Sequence, residues 1–312
     1  MLLETLKLQS GMNATQLARL ASTATARYKV YYIPKRDGGQ RKIEHPSREL
    51  KALQRWLNAF LLQALPLHPN ATAYSKGASV KLNAARHLDT KFTVRLDFKE
   101  FFPSFKETGI RQFLRQASAN LDLHLDEKDI KFSSKIFCRN GALTIGAPTS
   151  PTLTNRMMYD FDHTVTLFAE RKGLVYTRYA DDIFISSYHP GELVEVVDTI
   201  RECIAVYPYA RLRLNHAKTT YLSRRYKRTI TGIVITPSNC LSVGRQSKRR
   251  IKGLIWRRDH GGISPEDQVY LAGYLAFLND VEPTFLDSLV RKYGAKAIKN
   301  AKSAEFRGQN TN

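Results

Sequence analysis

Leu174-Val175-Tyr176-Thr177-Arg178 runs into Tyr179-Ala180-Asp181-Asp182 and out again through Ile183-Phe184-Ile185-Ser186-Ser187. Both flanks are rich in β-branched and aromatic residues, which suit a pleated, half-buried surface. Two such runs joined by a short polar tip predict a tight hairpin, with adjacent carboxylates at Asp181 and Asp182 on its turn. Asp also occupies turns for local reasons, because its side chain bonds to nearby backbone. Alone, the hairpin reads equally as a solvated surface turn or as half of a charged site. The rest of the chain has to decide.

Upstream, Phe92-Thr93-Val94-Arg95-Leu96-Asp97-Phe98 alternates apolar and polar residues as a strand does. The alternation puts Asp97 opposite Val94, Leu96 and Phe98, near the strand's end and next to a bend at Phe101-Phe102-Pro103. Between Asp97 and the hairpin lies Gly146-Ala147-Pro148-Thr149-Ser150-Pro151. This reads as a fixed turn followed by a helix that starts at Pro151, with Ser150 as its cap and Leu153, Met157, Phe161 and Val165 on one face. Such a turn is either an ordinary helix entry or a place where backbone approaches an anionic ligand closely.

The overall charge favours a polyanionic partner. The 312 residues carry 49 Lys and Arg against 28 Asp and Glu, a net +21, with 15 Tyr and 15 Phe as possible stacking surfaces for bases. With 43% hydrophobic residues the chain can bury a core. The three cysteines, Cys138, Cys203 and Cys240, form no CxxC pair, which argues against a zinc site or a disulfide framework and fits a reducing cytoplasm. The first residues lack the apolar core of a signal peptide, and no apolar run reaches membrane-spanning length.

The remaining segments read as scaffold and basic surface. Residues 1–26 predict short amphipathic helices broken near Ser10-Gly11. Residues 27–45 predict a basic hairpin, with Lys35, Arg36, Arg41 and Lys42 around an Asp37-Gly38-Gly39 turn; it is either a phosphate grip or an edge hairpin protected by its charges. Ser47 caps a predicted helix whose inner face is Leu50, Leu53, Leu57, Phe60, Leu61 and Ala64. Asp122, Asp126, Glu127 and Asp129 read as a solvated face between helices, and His87 as an ordinary core or surface histidine. Ile230 to Ile235 reads as one strand with Gly232 inside it. A helix follows in which Arg245, Lys248, Arg249, Arg250, Lys252, Arg257 and Arg258 surround Ile251, Leu254 and Ile255, a pattern suited to nucleic acid. The lysine-rich tail from Ala295 is expected to fray.

Asp97, Asp181 and Asp182 would meet if their strands are neighbours in one antiparallel sheet. Like charges brought together raise each other's pKa, and divalent cations remove that cost. Mg²⁺ takes carboxylate and phosphate oxygens, and two such ions about 3.5–4 Å apart suit an in-line phosphoryl transfer.

At these residues the chain resembles a known family. Leu96-Asp97-Phe98-x-x-Phe101-Phe102, the Gly146–Pro151 stretch with Asn155, and Tyr179-Ala180-Asp181-Asp182 stand in the order and spacing of reverse transcriptase motifs A, B and C. Asn215-x-x-Lys218 matches motif D. Small size, Asn83-Ala84-x-x-His87 and Thr231-Gly232 make it similar to bacterial retron reverse transcriptases.

The resemblance implies an α+β right-hand polymerase fold with fingers, an antiparallel-sheet palm and a helical thumb. Its divisions would be a helical extension at 1–26, fingers and palm at 27–235 and thumb and tail at 236–312. It implies an RNA-directed DNA polymerase with two Mg²⁺ ions on Asp97, Asp181 and Asp182, main-chain ligation at Phe98, and Lys218 as general acid. Lys35 and Arg41 would grip the triphosphate of a dNTP, Gly146 and Ala147 would line its site, and Phe102 would exclude a ribose 2′-hydroxyl. RNA contacts would fall on Asn83, His87, Thr231, Gly232, Arg245, Lys248, Arg249 and Lys252. The implied partners are a cognate retron noncoding RNA, its branched msDNA product and an effector protein in anti-phage defence, with no membrane. Two positions depart from the family pattern: Ile145 stands where Gln is usual, and Ile230 where Val is usual. Other readings are a small reverse transcriptase of an abortive-infection or diversity-generating system, and a non-catalytic RNA-binding scaffold.

Overall fold

The computed structural model describes residues 1–35, 38–223, 225 and 227–302. Its strands are β1 (Tyr28–Pro34), β2 (Gln40–Pro46), β3 (Phe92–Asp97), β4 (Val175–Tyr179), β5 (Asp182–Ser187), β6 (Thr220–Ser223), β7 (Arg228–Ile230), β8 (Ile233–Ile235) and β9 (Leu241–Ser242). Helices fill most of the intervals, giving the α+β makeup that the sequence predicts. By packing, the chain divides into two units, Met1–Ala78 with Val94–Tyr221 and Ser79–Thr93 with Leu222–Asn312. The second unit takes in β7 and β8 because they pack with the short helix Val80–Ala85.

The first unit is built on a four-stranded sheet in the order β4-β5-β3-β6. β4 and β5 pair antiparallel, with Val175 opposite Ser186 and Tyr179 opposite Asp182. Ile183 through Ser187 are all buried, as expected of a strand covered on both faces. The helix Tyr159–Arg171 packs on β4 and returns the chain to it through Gly173, which sits at φ 65°. β1 and β2 form a separate hairpin with Tyr28 opposite Pro46.

Several local expectations are corrected here. The run after Pro148 is two helices, Thr149–Met157 and Tyr159–Arg171, and Ser150 lies inside the first turn with its hydroxyl buried rather than capping. In the helix Arg48–Phe60, Ser47 does cap, accepting from the Leu50 N–H, and Leu50, Leu53 and Leu57 are buried. Phe60 instead faces outward and stacks on Trp56 with ring centroids 4.6 Å apart. Asp129 is buried, because its carboxylate accepts the backbone N–H groups of Leu2 and Leu3.

The second unit has a three-stranded sheet, β7-β8-β9, and a set of helices. The single strand expected over Ile230–Ile235 is a hairpin. Ile230 pairs with Ile233, and Thr231 and Gly232 take positive φ values of 47° and 85°, the pattern of a type I′ turn. The basic helix Gly244–Asp259 buries Ile251, Leu254 and Ile255, as its pattern predicts. Of the tail expected to fray, Ala295–Lys302 form a helix, with Ile298 and Ala301 buried, and residues 303–312 lie outside the described residues. Among the described residues no helix is long and apolar enough to cross a membrane.

Candidate active site

The sheet order brings the acidic residues together at one end of the two central strands. β3 lies beside β5, and the Phe98 N–H donates to the Asp181 carbonyl at 3.1 Å. On the other side of β3, the Asn215 N–H donates to the Asp97 carbonyl at 2.8 Å. The end of β3, the tip of the β4–β5 hairpin and the segment around Lys218 therefore converge. Because Tyr179 pairs with Asp182, the two turn residues are Ala180 and Asp181, one position earlier than the sequence suggested. Ala180 sits at φ 58°, and it alone of the two turn residues has positive φ. A non-glycine residue in this region costs on the order of 1–3 kcal/mol and needs a surrounding structure that enforces it.

Asp97 is 4% exposed and does not lack partners. Lys218 Nζ lies 3.1 Å from its Oδ2, and Asn215 Nδ2 donates to Oδ1 at 3.4 Å. Burial raises the Asp181 pKa and the charge of Asp97 raises it further, while Lys218 and Arg41 act against the rise. Burial also raises Asp182, to about 6, against the opposing ion pair with Arg95. That pair is close to bidentate: Arg95 Nε and Nη2 donate to Oδ1 at 3.0 and 2.8 Å, and Nη2 to Oδ2 at 3.1 Å.

These three carboxylates are the candidate metal ligands. Among the described residues no three His, Cys, Asp or Glu side chains are grouped closely enough to hold an ion ready-made. The donor set still fits a hard divalent cation, since it consists of carboxylate oxygens whose mutual repulsion such a cation relieves. Asp181 feels the charge of Asp97, and Asp182 feels the charges of both, although its carboxylate is also engaged by Arg95.

Beneath the tip lies a network that the sequence reading missed. Arg178, in β4, has no exposed surface. Its Nε and Nη2 donate to the two oxygens of buried Asp162 at 2.7 and 2.6 Å. Its Nη1 donates to Asn155 Oδ1 at 3.0 Å and to the carbonyl of Ala180 at 2.9 Å. Asn155 Nδ2 in turn donates to the Ala73 carbonyl at 2.7 Å. An arginine flanked by buried strand residues was the available signal, since such a charge is buried only when paired.

The other expected nucleotide contacts take mixed positions. Phe98 is buried, and Phe102 is half-buried with its ring 5.6 Å from that of Phe101. A Cβ at Gly146 would come within 2.7 Å of the Glu44 carbonyl, and its φ is 118°, so only glycine fits there. The carbonyl of Ile145 accepts the Glu44 N–H at 2.8 Å, which fastens this loop to β2 through main chain. Ala147 is buried. Arg41 is exposed, and its charge reaches Asp181. Lys35 is exposed at the β1–β2 turn, where its N–H donates to the Gly39 carbonyl; Arg36 and Asp37 lie outside the described residues.

In the second unit, the four residues expected to contact RNA outside the basic helix, Asn83, His87, Thr231 and Gly232, take mixed positions. Asn83 and His87 have no exposed surface. Thr231 Oγ1 donates to the Val80 carbonyl at 3.0 Å and accepts from Asn83 Nδ2 at 3.5 Å. Arg228, which is buried, donates to the carbonyls of His87 and Thr90. These residues fasten the β7–β8 hairpin to the helix Val80–Ala85. Only Gly232 of the four is exposed. Arg245, Arg249 and Lys252 are exposed on the basic helix, while Lys248 pairs with Glu282.

Residues 33–248 match the family described as reverse transcriptase (RNA-dependent DNA polymerase). The retron Ec83 reverse transcriptase of Escherichia coli is 34% identical over 292 residues, which cover 91% of this chain and 92% of that protein. The retron Ec86 reverse transcriptase of Escherichia coli is 30% identical over 296 residues, covering 92% of this chain and 89% of the relative. The retron Ec73 reverse transcriptase of the same organism is 30% identical over 274 residues, covering 85% and 86%. With its antiparallel β4–β5 hairpin carrying Asp181 beside Asp97, and with matches of this extent, the chain belongs to the reverse transcriptases, right-hand RNA-directed DNA polymerases, and within them to the retron group.

Proposed function

We propose that this polymerase binds its own structured noncoding RNA, starts synthesis at the 2′-hydroxyl of a guanosine within it, and copies part of it into branched msDNA. The observation that supports this most is the convergence of Asp97, Asp181 and Lys218 at one end of the central strands, in a chain similar to retron enzymes over most of its length.

Two bound Mg²⁺ ions would supply charge neutralisation at the attacking hydroxyl and at the leaving pyrophosphate. Asp97 and Asp181 would hold them, with Asp182 as the third acidic residue and the Phe98 carbonyl as a candidate main-chain donor. Lys35 and Arg41 grip the triphosphate. Gly146 and Ala147 let the backbone approach the nucleotide, and the ring of Phe102 occupies the space that a ribose 2′-hydroxyl would need. Lys218, already paired with Asp97, delivers a proton to the departing pyrophosphate.

In domain terms, residues 1–26 are an extension, 27–235 carry fingers and palm, and the thumb follows from 236. The exposed face of the basic helix, at Arg245, Arg249 and Lys252, follows the RNA backbone, which gives affinity that falls steeply with salt. The product acts in the cytoplasm with an effector protein in anti-phage defence.

The test is to express the chain with the noncoding RNA from its own locus and isolate the DNA. A DNA joined to RNA by a bond that debranching enzyme cleaves and ordinary RNase leaves intact is the expected result. Linear DNA with a conventional 3′-primed junction contradicts the retron reading and leaves a reverse transcriptase of another system.

A further inference from the structure

Tyr74 follows the segment that runs beside β4, and its backbone sits at φ 60°. For a bulky aromatic residue this left-handed conformation is a genuine outlier, persisting only where the surroundings enforce it. The surroundings here are well defined. Thr72 donates its N–H to the Arg178 carbonyl at 2.8 Å, and Asn155 Nδ2 donates to the Ala73 carbonyl at 2.7 Å. Arg178 and Asn155 thus fix the backbone on the approach to Tyr74, and Arg178 also holds the Ala180 carbonyl at the catalytic tip.

The strained backbone does not serve to bury the ring. Tyr74 is 51% exposed, its centroid lies 6.5 Å from that of Tyr179, and the two rings are tilted by 38°. It lies close enough to Asp181, Arg41 and Asp182 to sense their charges. A glycine would hold this turn without strain, as Gly77 does three residues later at φ 80°. The chain instead holds an aromatic face open beside the acidic tip.

We propose that Tyr74 is a positioning residue whose ring, next to Tyr179, stacks against a nucleobase at the reacting end of the nucleic acid. This rests on the polymerase reading above. The base belongs either to the priming nucleotide or to the incoming dNTP, and the chemistry required of Tyr74 is the same. Stacking of a base on an aromatic ring tolerates any base, as template-directed synthesis requires.

The experiment uses the full chain, an RNA template and a DNA primer, with 2-aminopurine placed either at the primer's 3′ end or in the incoming nucleotide. With the wild-type protein, fluorescence is quenched in the arm that carries the stacked base. Tyr74→Ala is expected to release that quenching and raise KM for the same partner by roughly ten- to a hundredfold, with kcat changed much less. Tyr74→Phe and Tyr74→Trp keep the ring and should retain both. Tyr74→Gly relieves the backbone strain, so it should melt no lower than wild type and still lose the quenching, which separates loss of the ring from misfolding. Unchanged quenching and KM in both arms for Tyr74→Ala would overturn the proposal. So would a Tyr74→Phe variant as impaired as Tyr74→Ala, since the hydroxyl and not the ring would then be responsible. If the wild-type protein quenches 2-aminopurine but adds no dNTP, the polymerase reading fails and the stacking claim stands.

Discussion

Arg178 Nη1 donates to the carbonyl of Ala180 at 2.9 Å, from a side chain with no exposed surface. The bond ties the strained turn residue before Asp181 to the buried Arg178–Asp162 ion pair. The candidate catalytic tip is therefore tied to a charge pair in the core.

Arg178→Met should leave Asp162 buried and unpaired, which costs about 3–5 kcal/mol. Unfolding in urea will show this as a lower midpoint. The double variant Arg178→Met with Asp162→Leu should recover part of the stability, because no lone charge remains, yet should not recover dNTP incorporation, because the Ala180 carbonyl is no longer held. Full polymerisation by the double variant would show that the tip keeps its shape unaided.

The placement of Asp97 at the end of β3 and of Asp181 at the tip of a hairpin was legible from the sequence because each follows from a local pattern, alternation along β3 and two strand-like runs around a short polar tip. What local pattern misses is pairing at a distance. Nothing local announces the partners of Arg178, Arg95 and Arg228, which are Asp162, Asp182 and the carbonyls of His87 and Thr90, contributed by other segments. Asp129 read as solvated for the same reason. The tip was read one residue late because alanine at positive φ is uncommon and aspartate is the usual turn residue. Thr231-Gly232 was read as strand interior because flanking β-branched residues outweighed the turn signal of a single glycine.

His87 supplies a pH dependence in the second unit. Burial lowers its pKa to about 3, with the charges of Arg228 and Arg86 adding to the effect. In the unfolded chain it titrates near the ordinary histidine value of about 6.5. As pH falls below that value, the unfolded chain takes up a proton that the folded chain refuses, so stability drops. The loss should reach about 2 kcal/mol by pH 5. His87→Asn should flatten this part of the profile when urea midpoints are compared at pH 7.5 and pH 5.

Phe102 is half-buried, with its ring tilted against Phe101, so it has a supporting surface and a free side. Phe102→Ala should admit rNTPs, raising their kcat/KM relative to dNTPs by at least about tenfold, the scale of one apolar contact. Steady-state incorporation with paired dNTP and rNTP substrates measures this. Unaltered sugar discrimination would place the gate elsewhere.

Lys218 sits 3.1 Å from Asp97 with its side chain half exposed, where it can meet a departing phosphate. Lys218→Ala should slow the single-turnover rate by about 10²–10⁴-fold, the range for loss of a general acid. A variant with an unchanged single-turnover rate and altered binding only would assign Lys218 to holding Asp97.

Asp97 and Asp181, with Asp182 beside them, are proposed to form a metal-dependent polymerase site. Replacing both hairpin carboxylates, Asp181→Asn with Asp182→Asn, tests this assignment most directly, with Mg²⁺-dependent dNTP incorporation and RNA affinity measured on the same preparation. Incorporation should be abolished while RNA affinity stays close to wild type. Synthesis at the wild-type rate in the double variant would contradict the assignment.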